Sequence, residues 1–536
     1  MYRRIAVFTA LLLGIVLPLL SQPKLLPAVK TNQAPKIDGD LSDSVWRLAP
    51  VAGQFVQNFP NVGAPATQRT EVRVLYDDNA IYIGAYLYDD PALIRRQITA
   101  RDEEQQKDVD FFSVFIDTYN DHQNGFQFLA TSANVQTDAR LSPNVMPTFG
   151  TYGDKTWDAV WDSRVSLKED GWVVEMEIPY ISLRFSKNTM QDWGIQFQRQ
   201  VRRTNETSFW NFVDPNVNGF VNQFGILKNL LDIKPPLRLS FSPYVSTGYR
   251  RVPEVNGSRS EWLKSGGMDV KYGINESFTL DVTLVPDFGQ VISDNVINNL
   301  TPYEVRFDEY RPFFTEGVDI FNKSGLFYSR RVGAAPAGYR AVEEMADDDP
   351  NIEIVRNPGR TQLYNALKLS GRTPSKLGIG FFNAVAAPMY ATIRDKITGD
   401  RTRIKTEALT NYNIIVLDQA LRGRSFVTFT NTNVLRDGGG DDANVTGLDF
   451  SFFDKQNTYN VRGHAHYSKV WSANSYDGFS SNLRAGKVSG RWQYYVQNQL
   501  RSLNFDPTDL GYLETSNQHI NTGHISFNEY KPGKIS

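Results

Sequence analysis

The pattern of hydrophobic and polar positions changes at Pro235-Pro236. Before this pair, short runs of alternating apolar and polar residues are separated by polar turns, as in Ile81 to Tyr88 after Asp77-Asp78-Asn79. Alternation with a period of two predicts half-buried strands, and many such strands at regular spacing predict an antiparallel β-sandwich. We place this sandwich at residues 36–229.

After the two prolines the alternating strands become longer and richer in Tyr and Phe. Ser425 to Thr430 and Leu448 to Phe452 each have one apolar and one polar face, and Leu377 to Ile393 is expected to form one long strand. Most of these strands are long enough to cross a bilayer, which takes about 9–11 residues per tilted strand. An open sheet in lipid would leave backbone groups unpaired, so such strands have to close. The sequence therefore predicts an all-β protein, in which the sandwich precedes an antiparallel transmembrane β-barrel over residues 237–536.

The two ends of the chain also carry signals. Tyr2-Arg3-Arg4 is basic, Ile5 to Leu20 is apolar and Ser21 is small, which predicts a signal peptide over residues 1–21 and export to the cell outer membrane. A short membrane anchor is the alternative, although spanning usually takes about 20 apolar residues. Gly533 to Ser536 lacks the terminal aromatic residue of bacterial barrels, so we expect a barrel that is incomplete at the C-terminus.

The amino-acid composition argues against several classes of partner and site. Lys and Arg (57) nearly balance Asp and Glu (59), which argues against a nucleic-acid partner. The chain has no cysteine, so it has no disulfide framework, thiolate metal site or cysteine nucleophile. Aromatic residues make up 12%, which suits the aromatic girdles of a barrel but also an aromatic sandwich.

Ile37 to Trp46, Asp108-Val109-Asp110 and Gly171 to Pro179 resemble the β-sandwich of carbohydrate-binding module family 9. The resemblance implies a glycan ligand held between two aromatic side chains. Sugar recognition needs flat aromatic faces and polar groups in a concavity. Trp157 to Leu167 is expected to form a strand, on which Trp157 and Trp161 would share a face, and these two residues are our candidate carbohydrate-binding pair. Packing inside the sandwich is the alternative.

Leu280 to Val291, Arg311 to Gly317 and Phe327 to Gly333 resemble an uncharacterised family, the domain of unknown function 5916. This family follows such a sandwich in Bacteroidota-type envelope proteins. The resemblance implies an outer-membrane barrel, for which no biochemical activity is established.

Residues 286–358 lack long alternation and form a plug-like insert in this interpretation. Opposite charges and aromatic side chains in one segment suit a lumen or rim insert whose charges pair with polar walls. A long surface loop is the alternative, and the acidic end at Asp347-Asp348-Asp349 is expected to be flexible. The insert residues singled out are Asp287, Phe288, Arg311, Phe313, Phe314, Glu316, Arg330 and Arg331.

Two groups of residues are candidate metal ligands. Asp38, Asp40 and Asp43 surround a tight turn and are candidates for structural calcium, with ordinary turn chemistry as the alternative. No other cofactor is expected. His464 and His466 share a strand face, but a zinc site needs three or four ligands and no third residue has suitable spacing. A lumen-facing pair without metal is favoured.

Three functions remain open. The first is glycan binding or uptake at the cell envelope, with a glycan and outer-membrane lipid as partners. The second is a glycoside hydrolase, or its accessory, in carbohydrate catabolism. A glycosidase needs two facing carboxyls about 5–9.5 Å apart, and Glu175 and Glu177, on one strand, are expected to face solvent instead. The third is a non-catalytic assembly or docking protein whose protein partner is unknown.

Overall fold

The computed structural model describes residues 22–104, 107–142, 150–236, 239–254, 257–275, 277–286, 297–307, 309, 311–315, 317 and 320–530. The predicted signal peptide (1–21) and the insert residues Asp287, Phe288 and Glu316 lie outside the described residues.

The N-terminal part consists of strands joined by short turns and by longer connections such as residues 31–55 and 89–110. In chain order these strands are β1 (Leu25–Pro27), β2 (Val29–Lys30), β3 (Val56–Phe59), β4 (Thr70–Tyr76), β5 (Ala80–Tyr88), β6 (Phe111–Asp117), β7 (Gly125–Thr131), β8 (Gln136–Leu141), β9 (Asp162–Lys168), β10 (Gly171–Pro179), β11 (Met190–Val201), β12 (Glu206–Phe209) and β13 (Gly225–Leu231).

The C-terminal part contains longer strands and two helices. The elements are β14 (Leu239–Glu254), β15 (Gly257–Gly273), β16 (Phe278–Leu284), α1 (Pro312–Thr315), α2 (Tyr339–Asp348), β17 (Ile352–Arg356), β18 (Leu363–Arg372), β19 (Leu377–Ala386), β20 (Met389–Asp395), β21 (Arg401–Glu407), β22 (Leu409–Ala420), β23 (Phe426–Asp437), β24 (Asp442–Phe453), β25 (Tyr459–Trp471), β26 (Tyr476–Lys487), β27 (Trp492–Arg501) and β28 (Gln518–Phe527).

The N-terminal strands form two sheets. One has the order β1-β13-β11-β6-β7-β8, with β12 and β3 continuing from β11, and the other has the order β2-β4-β5-β10-β9. Apolar side chains from both sheets, including Trp172, Trp193 and Phe128, share one buried cluster. Burial of these large rings, together with the aliphatic side chains of the cluster, stabilises the packing of the two sheets. The predicted sandwich-like domain is therefore present.

The C-terminal strands form a large antiparallel sheet in the order β14-β15-β16-β18-β19-β22-β23-β24-β25-β26-β27-β28. Each strand of this meander pairs with the next strand of the same sheet, while β17, β20 and β21 lie in the longer connections and form a separate three-stranded sheet. Within the described residues the edge strands β14 and β28 do not pair with each other, so the predicted closure into a barrel is not seen there.

The two faces of the large sheet differ in their surroundings. On what we call the inner face, Phe382, Ile414 and Val416 are buried against Phe314 and Phe327 from the 286–358 segment. On the opposite, outer face the side chains are exposed, and many are large and apolar. Examples are Ile415, Leu417, Phe429, Leu448, Phe452, Tyr467, Trp492, Val496 and Ile525.

Two sequence expectations in this half were wrong. Leu377 to Ile393 was expected as one strand, but the chain turns at Ala387-Pro388 and β20 joins β17 and β21 in a separate sheet. The acidic end of the insert, expected to be flexible, contains helix α2, whose Val342 is buried. Among the described residues, no helix combines the length and the apolar character needed to cross a membrane.

Candidate functional site: a cavity between the sandwich and the large sheet

The sandwich contacts the large sheet at one end of its strands. The Gln123 side chain donates to the carbonyls of Gly423 (3.1 Å) and Ser425 (3.3 Å) in the β22–β23 turn. In the β26–β27 turn the Gly490 amide donates to the Asn216 carbonyl at 2.7 Å. Hydrogen bonds to these two turns hold the sandwich over this end of the sheet.

A cavity of about 660 Å³ lies at this junction. The sandwich contributes polar loop residues and rings such as Tyr152 and Phe220, which stack with centroids 4.1 Å apart. The large sheet contributes inner-face residues of β24, β25 and β26. The volume lies within the range of small-molecule sites, and the lining mixes aromatic with polar groups as such sites do.

The sheet side of the cavity is strongly cationic. Arg462 on β25 and Arg484 on β26 are directly opposite each other in the register, and both line the cavity. Like charges at directly opposed positions are destabilising. Within the described residues neither guanidinium has a carboxylate within salt-bridge distance, and the guanidinium carbon of Arg484 lies 3.4 Å from the centroid of the Tyr495 ring. The pair is therefore suited to an anionic group.

A third arginine joins them from the turn that meets the sandwich. Arg424 donates to the side chain of Asn218 and lies 4.8 Å from the centroid of the Phe453 ring. Burial lowers the pKa of Arg424 to about 10, so this side chain stays charged at neutral pH. The cavity thus combines three guanidinium groups with aromatic rings.

Asp449, His464 and His466 form a compact group on the same inner face. Asp449 lies directly opposite His464 in the register between β24 and β25. One potential ligand atom from each residue lies within 4.8 Å of the other two. The expectation that the two histidines have no third partner was wrong, because the third residue comes from the neighbouring strand.

The insert is held to the inner face by buried charges. Lys323 donates to both carboxylate oxygens of Asp418 at 2.7 and 2.8 Å, and Arg372 donates to the same carboxylate at 2.6 Å. Thr428 supplies a fourth donor at 2.7 Å. This network satisfies the buried carboxylate and ties the insert to β18, β22 and β23.

The described insert residues chosen from the sequence do form contacts with one another or with the sheet. Arg311 is buried, donates to the Val332 carbonyl at 2.8 Å and lies 4.1 Å from the centroid of the Phe314 ring. The Lys368 ammonium on β18 is 4.8 Å from the centroid of the Phe313 ring. These contacts pack the insert against the inner face.

The two remaining arginines of that group make ion pairs within the insert. Arg331 pairs with Glu304 at 2.6 Å, and its Nε donates to the Gly511 carbonyl at 3.0 Å. Arg330 lies 3.9 Å from Glu309. Both arginines therefore have structural contacts in addition to any role at a lumen.

The candidate stacking pair of the sandwich lies in the core layer. Trp161 is buried, packs edge-on against Phe128 and donates to Asp138 at 3.2 Å. Trp157 is partly buried against the same cluster. Both precede β9, which begins at Asp162, so the expected strand from Trp157 to Leu167 starts later. Their role in sugar stacking stays a prediction.

The Asp38–Asp43 turn surrounds a buried carboxylate. Asp38, Asp40 and Asp43 accept hydrogen bonds from backbone amides of this loop, at 3.1, 3.2 and 2.8 Å. The amides of Asp38, Gly39 and Asp40 donate to Glu175, as does the Trp46 indole. These contacts are ordinary turn chemistry, and calcium at these carboxylates stays a prediction. Glu175 was expected to face solvent, and this was wrong because the turn covers it.

Sequence reasoning missed the arginines and the third residue of the histidine group. Arg462, Arg484 and Asp449 are separated in sequence and meet only through strand pairing. The available signal was the alternation itself, which places Arg462, His464 and His466 on one face of β25.

Comparisons with known proteins agree with this two-part structure. Residues 235–536, more than half of the chain, match the family described as domain of unknown function (DUF5916), and the protein belongs to this family. Residues 37–228 match the carbohydrate family 9 binding domain-like family. The boundary between the two matches coincides with the change of pattern at Pro235-Pro236.

Individual relatives are distant. An endo-1,4-β-xylanase A of Thermotoga maritima is 26% identical over 198 residues, which cover 36% of this chain and 17% of the xylanase. A family 9 carbohydrate-binding module from Caldicellulosiruptor kristjanssonii, solved with cellotriose, covers 38% of this chain and 93% of its own at 18% identity and a TM-score of 0.28. An OmpT loop-deletion mutant, an outer membrane protein of Vibrio cholerae, covers 49% and 93% at 12% identity and a TM-score of 0.19.

Proposed function

We propose that this protein is an outer-membrane β-barrel protein that binds a glycan at the cell envelope. The observation that carries the proposal is the cavity of about 660 Å³ between a carbohydrate family 9 binding domain-like sandwich and the polar part of the inner face, on β24 to β26 of the large sheet. Aromatic faces together with convergent polar groups are what sugar recognition needs. A glycan bound there contacts both parts of the protein.

The outer face of the large sheet supports a membrane location. Leu448 is 46% exposed and Trp492 is 54% exposed, and other large apolar side chains along this face are exposed as well. Extended exposed apolar surface is rare on soluble proteins and marks contact with another apolar phase. An apolar exterior and a polar interior are the pattern of barrels in lipid. Closure then requires the β14 and β28 edges to be paired, directly or through further strands.

The connections of the sheet support a periplasmic position for the sandwich. At the sandwich end the strands are joined by short turns, at 373–376, 421–425, 454–458 and 488–491. The opposite end has short turns at 438–441 and 472–475, but the longer connections, namely the 286–358 insert, residues 387–408 and residues 502–517, all start from that end. Outer-membrane barrels have short periplasmic turns and longer extracellular loops. By this rule the sandwich, and the cavity beneath it, face the periplasm.

The cationic wall of the cavity favours an acidic glycan. Arg462 and Arg484 present guanidinium groups, which pair well with carboxylates and sulfates. The test is the affinity of the full-length protein in detergent for oligogalacturonides and for neutral cello-oligosaccharides of equal length. We expect tighter binding of the acidic series, with an affinity that falls as salt is added.

The matched variants separate the cavity from general surface charge. In the double variant Arg462→Gln with Arg484→Gln, the affinity for the acidic series should fall at least about tenfold, since two charge-assisted contacts are lost. Arg164→Gln, at an exposed position of β9, should leave it unchanged. Absence of saccharide binding, or equal affinities in all three proteins, would contradict the proposal. A stable protein partner recovered without glycan would support the docking alternative instead.

A further inference from the structure

The inner face of β24 and β25 brings two imidazoles and a carboxylate together. The rings of His464 and His466 stack with centroids 4.1 Å apart and an interplanar angle of 12°. Nε2 of His466 lies 3.1 Å from Oδ2 of Asp449. His466 is 6% exposed and Asp449 is also largely covered. The three groups therefore form a sheltered cluster with three potential ligand atoms.

The distances suit a divalent transition metal. Ligands about 2.0–2.1 Å from a tetrahedral zinc ion lie about 3.3 Å from one another. The His466–Asp449 separation of 3.1 Å is already close to this value, and all three ligand atoms lie within 4.8 Å of one another. His464 has to close this distance by at most about 1.5 Å. Because a metal ion lies in the plane of each imidazole that binds it and the two rings are nearly parallel here, binding requires one ring to rotate out of the stack.

An Asp–His hydrogen bond alone does not account for the arrangement. It explains the position of His466 but not that of His464, whose Nε2 lies 3.3 Å from the Ser480 hydroxyl. Metal-bound histidines usually hold a second polar group with their other ring nitrogen, which fixes the ring orientation. Ser480 is in the position to do this for His464, whose other ring nitrogen would then bind the metal ion.

The neighbouring strand leaves space for the imidazole. Gly447 lies opposite His466 in the register. A Cβ atom at this position would be 2.7 Å from Cδ2 of His466 and 2.7 Å from Cδ1 of Leu326. Glycine therefore allows the ring to lie against the strand beside Asp449, and a larger residue would displace it.

We propose that Asp449, His464 and His466 form a binding site for a divalent transition metal, with Zn²⁺ as the ion to test. Two histidines and one carboxylate are a ligand set that zinc and ferrous iron accept. Three protein ligands leave at least one coordination position open. Asp449 and His464 line the cavity, so the open position faces it and is available to water or to an oxygen of a bound ligand. This site does not depend on the glycan proposal.

The test is metal binding by the full-length protein in detergent, without any saccharide. After treatment with a chelator, the protein is titrated with Zn²⁺ against a chromophoric competitor. We expect one tightly bound ion per chain. Asp449→Asn, His464→Gln and His466→Gln should each weaken binding by about 100-fold or more, beyond the 10–100-fold typical of second-shell partners. The matched control is His524→Gln, an inner-face histidine on β28 that stacks on Tyr495 and should leave the affinity unchanged.

A spectroscopic measurement on the unmodified protein keeps the proposal testable if the ligand variants fail to fold. Co²⁺ bound to the unmodified protein should give the intense visible bands of a four- or five-coordinate ion with nitrogen ligands. Gly447→Ala keeps all three ligands and should still weaken Zn²⁺ binding about tenfold or more, because it displaces the His466 ring. The proposal is overturned by a lack of Zn²⁺ binding at micromolar concentration, by a Co²⁺ spectrum like that of the hydrated ion, or by an equal loss of affinity in His524→Gln.

Discussion

Replacing Glu175 by Gln tests how the N-terminal turn is held to the sandwich. The Glu175 side chain is fully buried. Its Oε2 accepts from the amides of Asp38, Gly39 and Asp40 at 2.9, 2.7 and 3.2 Å, and its Oε1 accepts from the Trp46 indole at 2.9 Å. A glutamine has one acceptor in place of two. Its oxygen would face the three amides, so its NH₂ group would face the indole N–H.

The magnitude follows from this donor–donor contact. Burial raises the pKa of Glu175 although four N–H donors oppose the shift, so the negative charge by itself is not what stabilises the turn. The loss is one hydrogen bond and the burial of two unpaired donors, which costs about 1–3 kcal/mol. Because 1.4 kcal/mol corresponds to a factor of ten, amides that exchange by opening of this turn should exchange roughly 5- to 150-fold faster.

Hydrogen exchange of the full-length protein measures this locally, with mass spectrometry of a peptide that covers residues 36–46. Glu177→Gln is the matched control, since Glu177 lies two residues away on β10, is only partly buried and should change stability by no more than about 0.5 kcal/mol. In a Trp46→Phe background the cost of Glu175→Gln should shrink, because the opposing donor is gone. Unchanged exchange in Glu175→Gln, or an equal effect of Glu177→Gln, would refute the reasoning.

Two further perturbations test the sandwich core and the outer face. Burial raises the pKa of Asp110 from 3.8 to about 6, so the folded state holds its proton longer than the unfolded state. The stability that this carboxyl group contributes therefore falls by about 3 kcal/mol as the pH rises from about 4 to 6. In Asp110→Asn, the opening free energy measured by hydrogen exchange of β6 amides should no longer show this fall. Val496→Arg places a charge on the outer face and should disfavour folding into lipid vesicles by about 2–4 kcal/mol. Gln499→Arg, on the inner face of the same strand, should reduce the free energy of folding into vesicles much less. Equal reductions in the two variants would argue against lipid contact at Val496.

Much of the fold could be predicted from the sequence because strand alternation is a local signal. The alternation in β22 to β27 needs no knowledge of partners, and consecutive pairing follows from short turns. The break at Ala387-Pro388 was not predicted, because apolar residues continue on both sides of it. Helix α2 was hidden because its acidic residues suggested a flexible loop, whereas its apolar positions pack at helical spacing.

The candidate site was less predictable because it depends on contacts between distant segments. Glu175 resembles a solvent-facing residue until the Asp38–Asp40 turn is placed over it. Trp157 and Trp161 both pack against Phe128, a contact that the sequence pattern could not show. For Glu175 the local pattern was correct about side-chain direction, but it could not show the turn that covers the side chain.

Antiparallel pairing allows some contacts between neighbouring strands to be predicted from the sequence, which a search for fixed spacing does not. Asp449 and His464 lie equally far from Gln456-Asn457 at the centre of the β24–β25 turn, and the register indeed sets them opposite each other. Any two inner-face residues placed symmetrically about a short turn are candidates for contact. Applied to the sequence, this symmetry finds the third member of the histidine cluster, which a search along one strand cannot. Sites on large antiparallel sheets are therefore better sought as mirror positions about each turn than as motifs of constant spacing.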